Sequence, residues 1–437
     1  MPQRRRLKPL HGLDEILSLF AKGTTVVLHS GFAEPAGLGR ELARNADALH
    51  GVNVYSLMPM GGAPYAGAAA ARHLAVHSFF PGKALRAATN SGQVRVHRTA
   101  LSKIPGLFAT RRIRADILML QVSPPNAAGE MSLGISVDYM RAVLDQAPVV
   151  IAEINRRMPR TCGDTIIRED QVDYVFEDGT GPQTTDANSP DDVDRRIADN
   201  VAELVADGAV LQTGIGAIPD LVLPRLTHLS DLGIHTGIIT NAVVPLLKCG
   251  AVTNATKPRF RGQCVATMAG GTQAFYDFLH ENPEIAFHPC SVTHDFETLA
   301  GIEGLCAING ALQVDLAGNV NAEILDGRVI SAPGGFPDFA RGAAAAAKGV
   351  SITALRATSK GGDRSNIVPI LPAGAPTTVA AAHIDFVVTE HGIARLSGLD
   401  REARRTAMLS VAAPEFRRLL KNDGLAADAE DGDRVGG

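Results

Sequence analysis

Short apolar runs that end in a glycine turn and then give way to a helical pattern recur along this chain, and that alternation constrains the fold more than any other feature. The clearest cases are TTVVLHSGFAEPAGLGRELAR (24 to 44) and GAVLQTGIGAIPDLVLPRL (208 to 226). Strand alternating with helix predicts an α/β protein built on mostly parallel sheets covered by helices. The two segments also resemble each other. Each has a β-run, then Ser30-Gly31 or Thr213-Gly214, then Pro35 or Pro219, then an amphipathic helix. The chain reads as internally duplicated, with two similar α/β halves.

The stretch EDGTGPQTTDANSPDDVDRR (177 to 196) is rich in Gly, Pro, Asp and Thr, and it marks the boundary between the halves. Residues 1–185 form one expected domain and 190–425 the other. Acids after Ser189-Pro190 suit a helix start, and Ile197, Val201, Leu204 and Val205 at helical spacing predict a helix that ends at Gly208. The acidic, small-residue segment 426–437 is expected to be a disordered tail.

With 437 residues, 45% hydrophobic and 20% charged, the chain can bury a large core. Its net charge of -4 supplies no global attraction for nucleic acid, so any anionic ligand must be held by local sites. The run Arg4-Arg5-Arg6 lacks the apolar stretch of a secretory signal, and no apolar run is long enough to span a bilayer. Cys162, Cys249, Cys264, Cys290 and Cys306 are odd in number and form no CxxC pair, so neither a disulfide framework nor a zinc site is expected, and a reducing cytoplasm is the natural compartment. The 13 histidines show no HxxxH or HExxH spacing, and no metal site is expected.

Glycine turns between strand and helix leave backbone N–H groups uncovered beside a helix N-terminus, an arrangement that holds an anion or an oxyanion. GIGAIP, from Gly214, is not the GxGxxG fingerprint, because Pro219 sits where the third glycine should be. Gly334-Gly335 precede an alanine-rich helix and permit close approach of a ligand to the backbone. Each of these turns, taken alone, is equally consistent with a plain loop.

Several segments taken together are more specific: LSKIPGLF (101 to 108), VSPPNAAGEMSLGISVDY (122 to 139), VVIAEINRRMPRTCGDT (149 to 165), LQTGIGAIPD, GTQAFYDFLHENP (271 to 283), AINGALQVDLAGNVNAE (307 to 323), GGFPDFARGA and VVTEHGIARLSG (387 to 398). They closely resemble, in order and over nearly the whole chain, motifs of the acetyl-CoA hydrolase/4-hydroxybutyrate CoA-transferase family, a branch of the class I CoA-transferases. The resemblance implies two similar α/β domains with the active site between them, in a homodimer or homotetramer. It also implies an acyl-CoA and a small-molecule acceptor as partners, with coenzyme A as cosubstrate and no tightly bound cofactor. The loop Gly214, Ile215, Gly216, Ala217 and Ile218 corresponds to the family's CoA-contacting loop. Asn309, Gly334 and Gly335 would line the same site, and Gly31 would face the reacting thioester.

The family's chemistry is ping-pong: a glutamate attacks the thioester, and a glutamyl-CoA intermediate follows. That glutamate lies in a segment resembling LGIHTEMxSDGVV, whereas this chain reads LGIHTGIITNAVV. Gly237 therefore stands at the nucleophile's position, while His235 and Thr236 match. Thr240-Asn241-Ala242 replace Ser-Asp-Gly, and Asn366, Ala381 and Ser397 stand at positions that are basic in the family. Glu34 and Glu390 are the substitute carboxylates to weigh, although both match acids of family members that keep the nucleophile. Three functions are open: direct attack on an acyl-CoA by an acceptor or by water, with His235 as candidate base; CoA transfer through a relocated carboxylate; or CoA binding without turnover.

Overall fold

The computed structural model describes residues 7–185, 190–214 and 216–422. Ile215 and the tail expected over 426–437 lie outside the described residues. Eight strands form the first sheet: β1 (Lys8–Leu10), β2 (Thr25–Leu28), β3 (Asn53–Leu57), β4 (Ala75–Phe80), β5 (Val94–Val96), β6 (Ile117–Val122), β7 (Val149–Ile154) and β8 (Tyr174–Glu177). Their order is β1-β8-β7-β6-β2-β3-β4-β5, parallel at every pairing. The central strands β2 and β6 are buried at every residue, as sequences such as TVVL and ILMLQV require of strands covered on both faces.

A second sheet of six strands follows: β9 (Val210–Thr213), β10 (Gly233–Ile234), β11 (Leu305–Gly310), β12 (Val350–Ala354), β13 (Phe386–Thr389) and β14 (Gly392–Arg395). The order is β10-β9-β11-β12-β13-β14, and only the edge strand β14 runs antiparallel. In each sheet the strand before the matching glycine turn, β2 or β9, lies inside the sheet and feeds a helix: α1 (Ala36–Arg44) in the first half and α3 (Ala217–Val222) in the second. The largest apolar cluster runs from Val27, Phe79 and Leu118 of the first half to Leu211, Ile308 and Val388 of the second.

The helix opening the second half, α2 (Asp192–Ala202), is capped by Asp191, whose carboxylate accepts from Val193 N (3.0 Å) and Asp194 N (3.1 Å). It ends at Ala202, six residues short of the expected stop at Gly208. Leu204 N and Val205 N bond to Val201 O and Ala202 O, three residues back, so the chain tightens out of the α-helix before the glycine is reached. No helix among the described residues is long and apolar enough to cross a membrane.

Side chains brace the two halves near the helix α4 (Phe336–Ala345). Arg98 donates to the carboxylate of Glu323 through Nε (2.6 Å) and Nη2 (3.1 Å), and Asn90 pairs with both backbone groups of Val329 at 2.9 Å. Ser102 donates its backbone N–H (3.1 Å) and its hydroxyl (2.6 Å) to Asp338. Glu323 is only 1% exposed, whereas the Arg98 side chain is half exposed. Replacing Arg98 with Ala leaves the buried carboxylate with the Thr378 hydroxyl as its side-chain donor. That loss should cost about 1–2 kcal/mol, discounted for the water that reaches Arg98, and a lowered thermal midpoint checks it.

Candidate active site

The carboxyl-terminal ends of strands from both sheets converge on one cleft. Leu57 closes β3, Phe80 closes β4, Thr213 closes β9 and Gly310 closes β11, and all four line a cavity of about 490 Å3. Ligands of open α/β sheets bind at this end of the strands, where the connections diverge and leave room. Gly214, Asn309, Gly334, Gly335 and Gly237 line the same cavity, so the structure brings together residues that the sequence scatters over more than a hundred positions.

Gly334 adopts φ +58, and its carbonyl accepts from Leu101 N at 2.9 Å, tying the glycine turn of the second half to a loop of the first. Asn309 and Gln212 exchange amide hydrogen bonds (2.9 and 3.2 Å), which fixes both side chains at the ends of adjacent strands. The Gly237 carbonyl accepts from Thr267 N (3.2 Å) and Met268 N (3.0 Å), and Thr236 Oγ1 lies 3.0 Å from both Thr213 O and Ile238 O. The Gly237 backbone is thereby held in register with the end of β9.

Of the other expected residues, Gly31, Gly216, Ile218 and His235 are not among those lining the cleft. Gly31 is buried at φ +59 beneath Met268, and a Cβ there would lie 2.5 Å from the Met268 sulfur, so it supports a cleft residue rather than facing the cleft itself. Gly216 (φ +142) precedes α3, which begins at Ala217, and Ile218 packs against the core. His235, weighed as a base, is turned away: its Nε2 sits 3.0 Å from the Thr293 carbonyl, and the ring borders a second, smaller cavity of about 240 Å3 with Arg259, Phe260 and Asp295. Burial and the nearby Lys257 push its pKa down to about 3. Strand β10 ends at Ile234 and the next extended segment begins at Ile238, so the simple alternation that would put residues 235 and 237 on one face is broken between them.

His294 was not singled out by the sequence. It closes the helical turn Cys290–Thr293, is 1% exposed, and lines the cleft directly beside Gly237. A Cβ built at Gly237 would lie 3.0 Å from His294 Nε2, and one at Gly335 only 2.5 Å from the same atom, so the two glycines flank the ring. Phe339 meets the ring edge-on at 4.7 Å. The His294 Nδ1 is 2.7 Å from Thr293 Oγ1, whereas Nε2 has no hydrogen-bond partner among the described residues. Burial pushes the imidazole pKa down to about 3, which leaves the ring neutral near pH 7. A lone histidine in VTHD carries no spacing signal, and only the fold sets it against Gly237.

Among the described residues lining this cleft there is no aspartate or glutamate. Glu34 is fully buried elsewhere, accepting from Gly61 N and from the Tyr65 hydroxyl (3.0 Å), and burial pushes its pKa up to about 7. Glu390 accepts from Ala357 N at 2.9 Å. Both hold backbone, and neither reaches the cleft. The charged residues lining it are Lys83 and Arg86, both exposed. Among the described residues no three His, Cys, Asp or Glu side chains group as metal ligands.

Two family models match the chain: the acetyl-CoA hydrolase/transferase N-terminal domain over residues 3–184 and the C-terminal domain over residues 271–423. The 4-hydroxybutyrate coenzyme A transferase of Clostridium kluyveri is 35% identical over 410 residues, covering 94% of this chain and 96% of that protein. The crystal structure of RipA from Yersinia pestis superimposes with a TM-score of 0.91 at 31% identity, over 96% of this chain and 98% of that one. That of a 4-hydroxybutyrate CoA-transferase from Porphyromonas gingivalis does so with a TM-score of 0.81 at 29% identity, over 95% and 97%. Spanning nearly the full length of these relatives, with the glycine loops and Asn309 at one cleft, the chain belongs to the acetyl-CoA hydrolase/transferase family.

Proposed function

We propose that this protein cleaves acyl-CoA thioesters by direct attack of an acceptor nucleophile, without a glutamyl-CoA intermediate. The observation that carries this reading is the absence of any carboxylate among the described residues that line the cleft, at a position where Gly237 offers no side chain. The substrate class follows from the family and from the cleft. Exposed Lys83 and Arg86 supply the cationic partners that the phosphates of coenzyme A need, while Met58, Phe80, Ile330 and Phe336 form an apolar wall for the pantetheine arm and acyl chain. Gly214 N already donates to the Ile308 carbonyl at 3.0 Å, whereas the Gly334-Gly335 turn lines the cleft with Gly237. The thioester carbonyl would find oxyanion stabilisation there, and such stabilisation retains a large share of catalysis when the covalent step is lost.

The test is to incubate the full chain with acetyl-CoA or butyryl-CoA, with and without borohydride, and to follow free thiol. Steady thiol release that borohydride leaves intact, with no CoA-sized mass added to the protein, is the expected result. A borohydride-sensitive enzyme species would show a relocated carboxylate, and CoA binding with no thiol release would make the chain a binding protein.

A further inference from the structure

We propose that His294 is the general base of the thioester-cleaving step and that the acceptor is therefore a protic nucleophile, an alcohol, an amine or water, rather than a carboxylate. This rests on the direct attack proposed above. Four observations carry it. First, the ring is 1% exposed yet lines the cleft, in contact with the two glycines at which the reacting group must sit. Second, its Nε2, buried between Gly237 and Gly335, has no hydrogen-bond partner among the described residues, and a buried polar atom without one is costly unless a ligand supplies the bond. Third, its other nitrogen is oriented: Nδ1 lies 2.7 Å from Thr293 Oγ1, which in turn reaches the Pro289 carbonyl at 3.5 Å. The proposed tautomer has that hydroxyl donate to the carbonyl and accept from Nδ1–H, which leaves Nε2 its lone pair. Fourth, the segment is braced from behind, because His235 Nε2 bonds the Thr293 carbonyl at 3.0 Å. His235, matched by the sequence to the site, is thus a positioning residue for the histidine that faces it.

The step balances without a further reactant. The acceptor gives its proton to His294 Nε2 as its oxygen or nitrogen bonds to the thioester carbon, and the carbonyl electron pair moves onto oxygen. Collapse of the tetrahedral species restores the carbonyl and breaks the C–S bond. The departing thiolate takes the proton back from His294, leaving the acylated acceptor and free CoA. A carboxylate acceptor has no proton to surrender and would leave this base idle.

The experiment supplies butyryl-CoA to the full chain with four acceptor conditions, water alone, 1-propanol, propylamine and propionate, and compares unsubstituted protein with His294→Gln and His294→Ala. We expect thiol release with at least one of the three protic conditions and no butyrate-to-propionate exchange of CoA. In His294→Gln, kcat should fall about 100-fold or more with KM for butyryl-CoA little changed, the range carried by general-base catalysis. In His294→Ala, added imidazole should restore about tenfold, which neither misfolding nor a purely structural role allows. Turnover that proceeds without a borohydride-sensitive species but is unchanged in His294→Gln overturns the base and leaves direct attack standing. Propionate as the sole productive acceptor overturns the protic class. An unsubstituted chain that releases no thiol from any acyl-CoA overturns direct attack and the base with it.

Discussion

A Gly237→Glu variant should be inactivated by borohydride in the presence of acyl-CoA, and its kinetics should turn ping-pong with carboxylate acceptors, while the unsubstituted chain survives the same treatment. The geometry makes the substitution a test of mechanism rather than of folding. Gly237 lines a cavity of about 490 Å3, and its carbonyl keeps both of its backbone donors. The tight contact is with the His294 ring, 3.0 Å from the new Cβ, which must yield by a few tenths of an ångström; Phe339 at 3.5 Å is in ordinary contact. The new side chain would then lie against the His294 ring, on the proposed path of the acceptor. Turnover with a protic acceptor should therefore drop by about 100-fold or more, as proximity and base assistance are lost together. Gly237→Gln fills the same volume without a nucleophile and should show the drop with no borohydride sensitivity. A Gly237→Glu protein that folds, binds CoA and gains no covalent species would mean that position 237 does not face the thioester carbon.

The second large effect is on stability against pH, read as the difference between the unsubstituted chain and Glu34→Gln. Burial pushes Glu34 and Glu153 up to about 7 from the ordinary 4.5, and Asp338 up to about 6. A carboxyl raised in the folded state keeps its proton while the unfolded chain releases its own, so its contribution is full below about 4.5 and is lost as pH climbs through 7. At about 1.4 kcal/mol per pKa unit, each glutamate removes about 3 kcal/mol over that window. The buried histidines oppose this. His235 and His294, held near 3, contribute fully above 6.5 and lose that contribution as pH falls. The two trends offset each other between about 4.5 and 6.5, and below that the histidines govern acid unfolding. In Glu34→Gln the amide oxygen can still accept from Gly61 N while Tyr65 turns its hydroxyl to accept from the amide nitrogen. The variant should therefore gain on the unsubstituted chain by about 3 kcal/mol between pH 4.5 and 8, seen as a widening gap in thermal midpoints. Parallel midpoints across that range would mean that Glu34 is ionised in the fold at all these pH values.

Much of the molecule was legible before any coordinates. Apolar runs broken by glycine turns impose buried parallel strands followed by helices, because a strand covered on both faces must be apolar throughout and must leave its sheet through a turn that tolerates unusual backbone angles. The grouping of Gly214, Asn309, Gly334, Gly335 and Gly237 came from the resemblance to the family, and the five line one cleft. The end of α2 was misread because three-residue hydrogen bonds to the Val201 and Ala202 carbonyls precede the glycine that marks a stop in the sequence.

The sequence by itself determined the α/β class and the family, and it set the expectation that Gly237 stands where the family has its nucleophile. Only the tertiary structure decided what faces that gap. Which way His235 points, that Gly31 lies beneath Met268, that Glu34 and Glu390 are spent on backbone N–H groups, and that His294 presents an unpartnered Nε2 beside Gly237 all depend on contacts between segments far apart in the chain. The physical reason is that periodicity reports which residues are buried. The direction of a side chain outside a regular strand or helix, and the groups it meets there, are set by the packing of the two halves against each other.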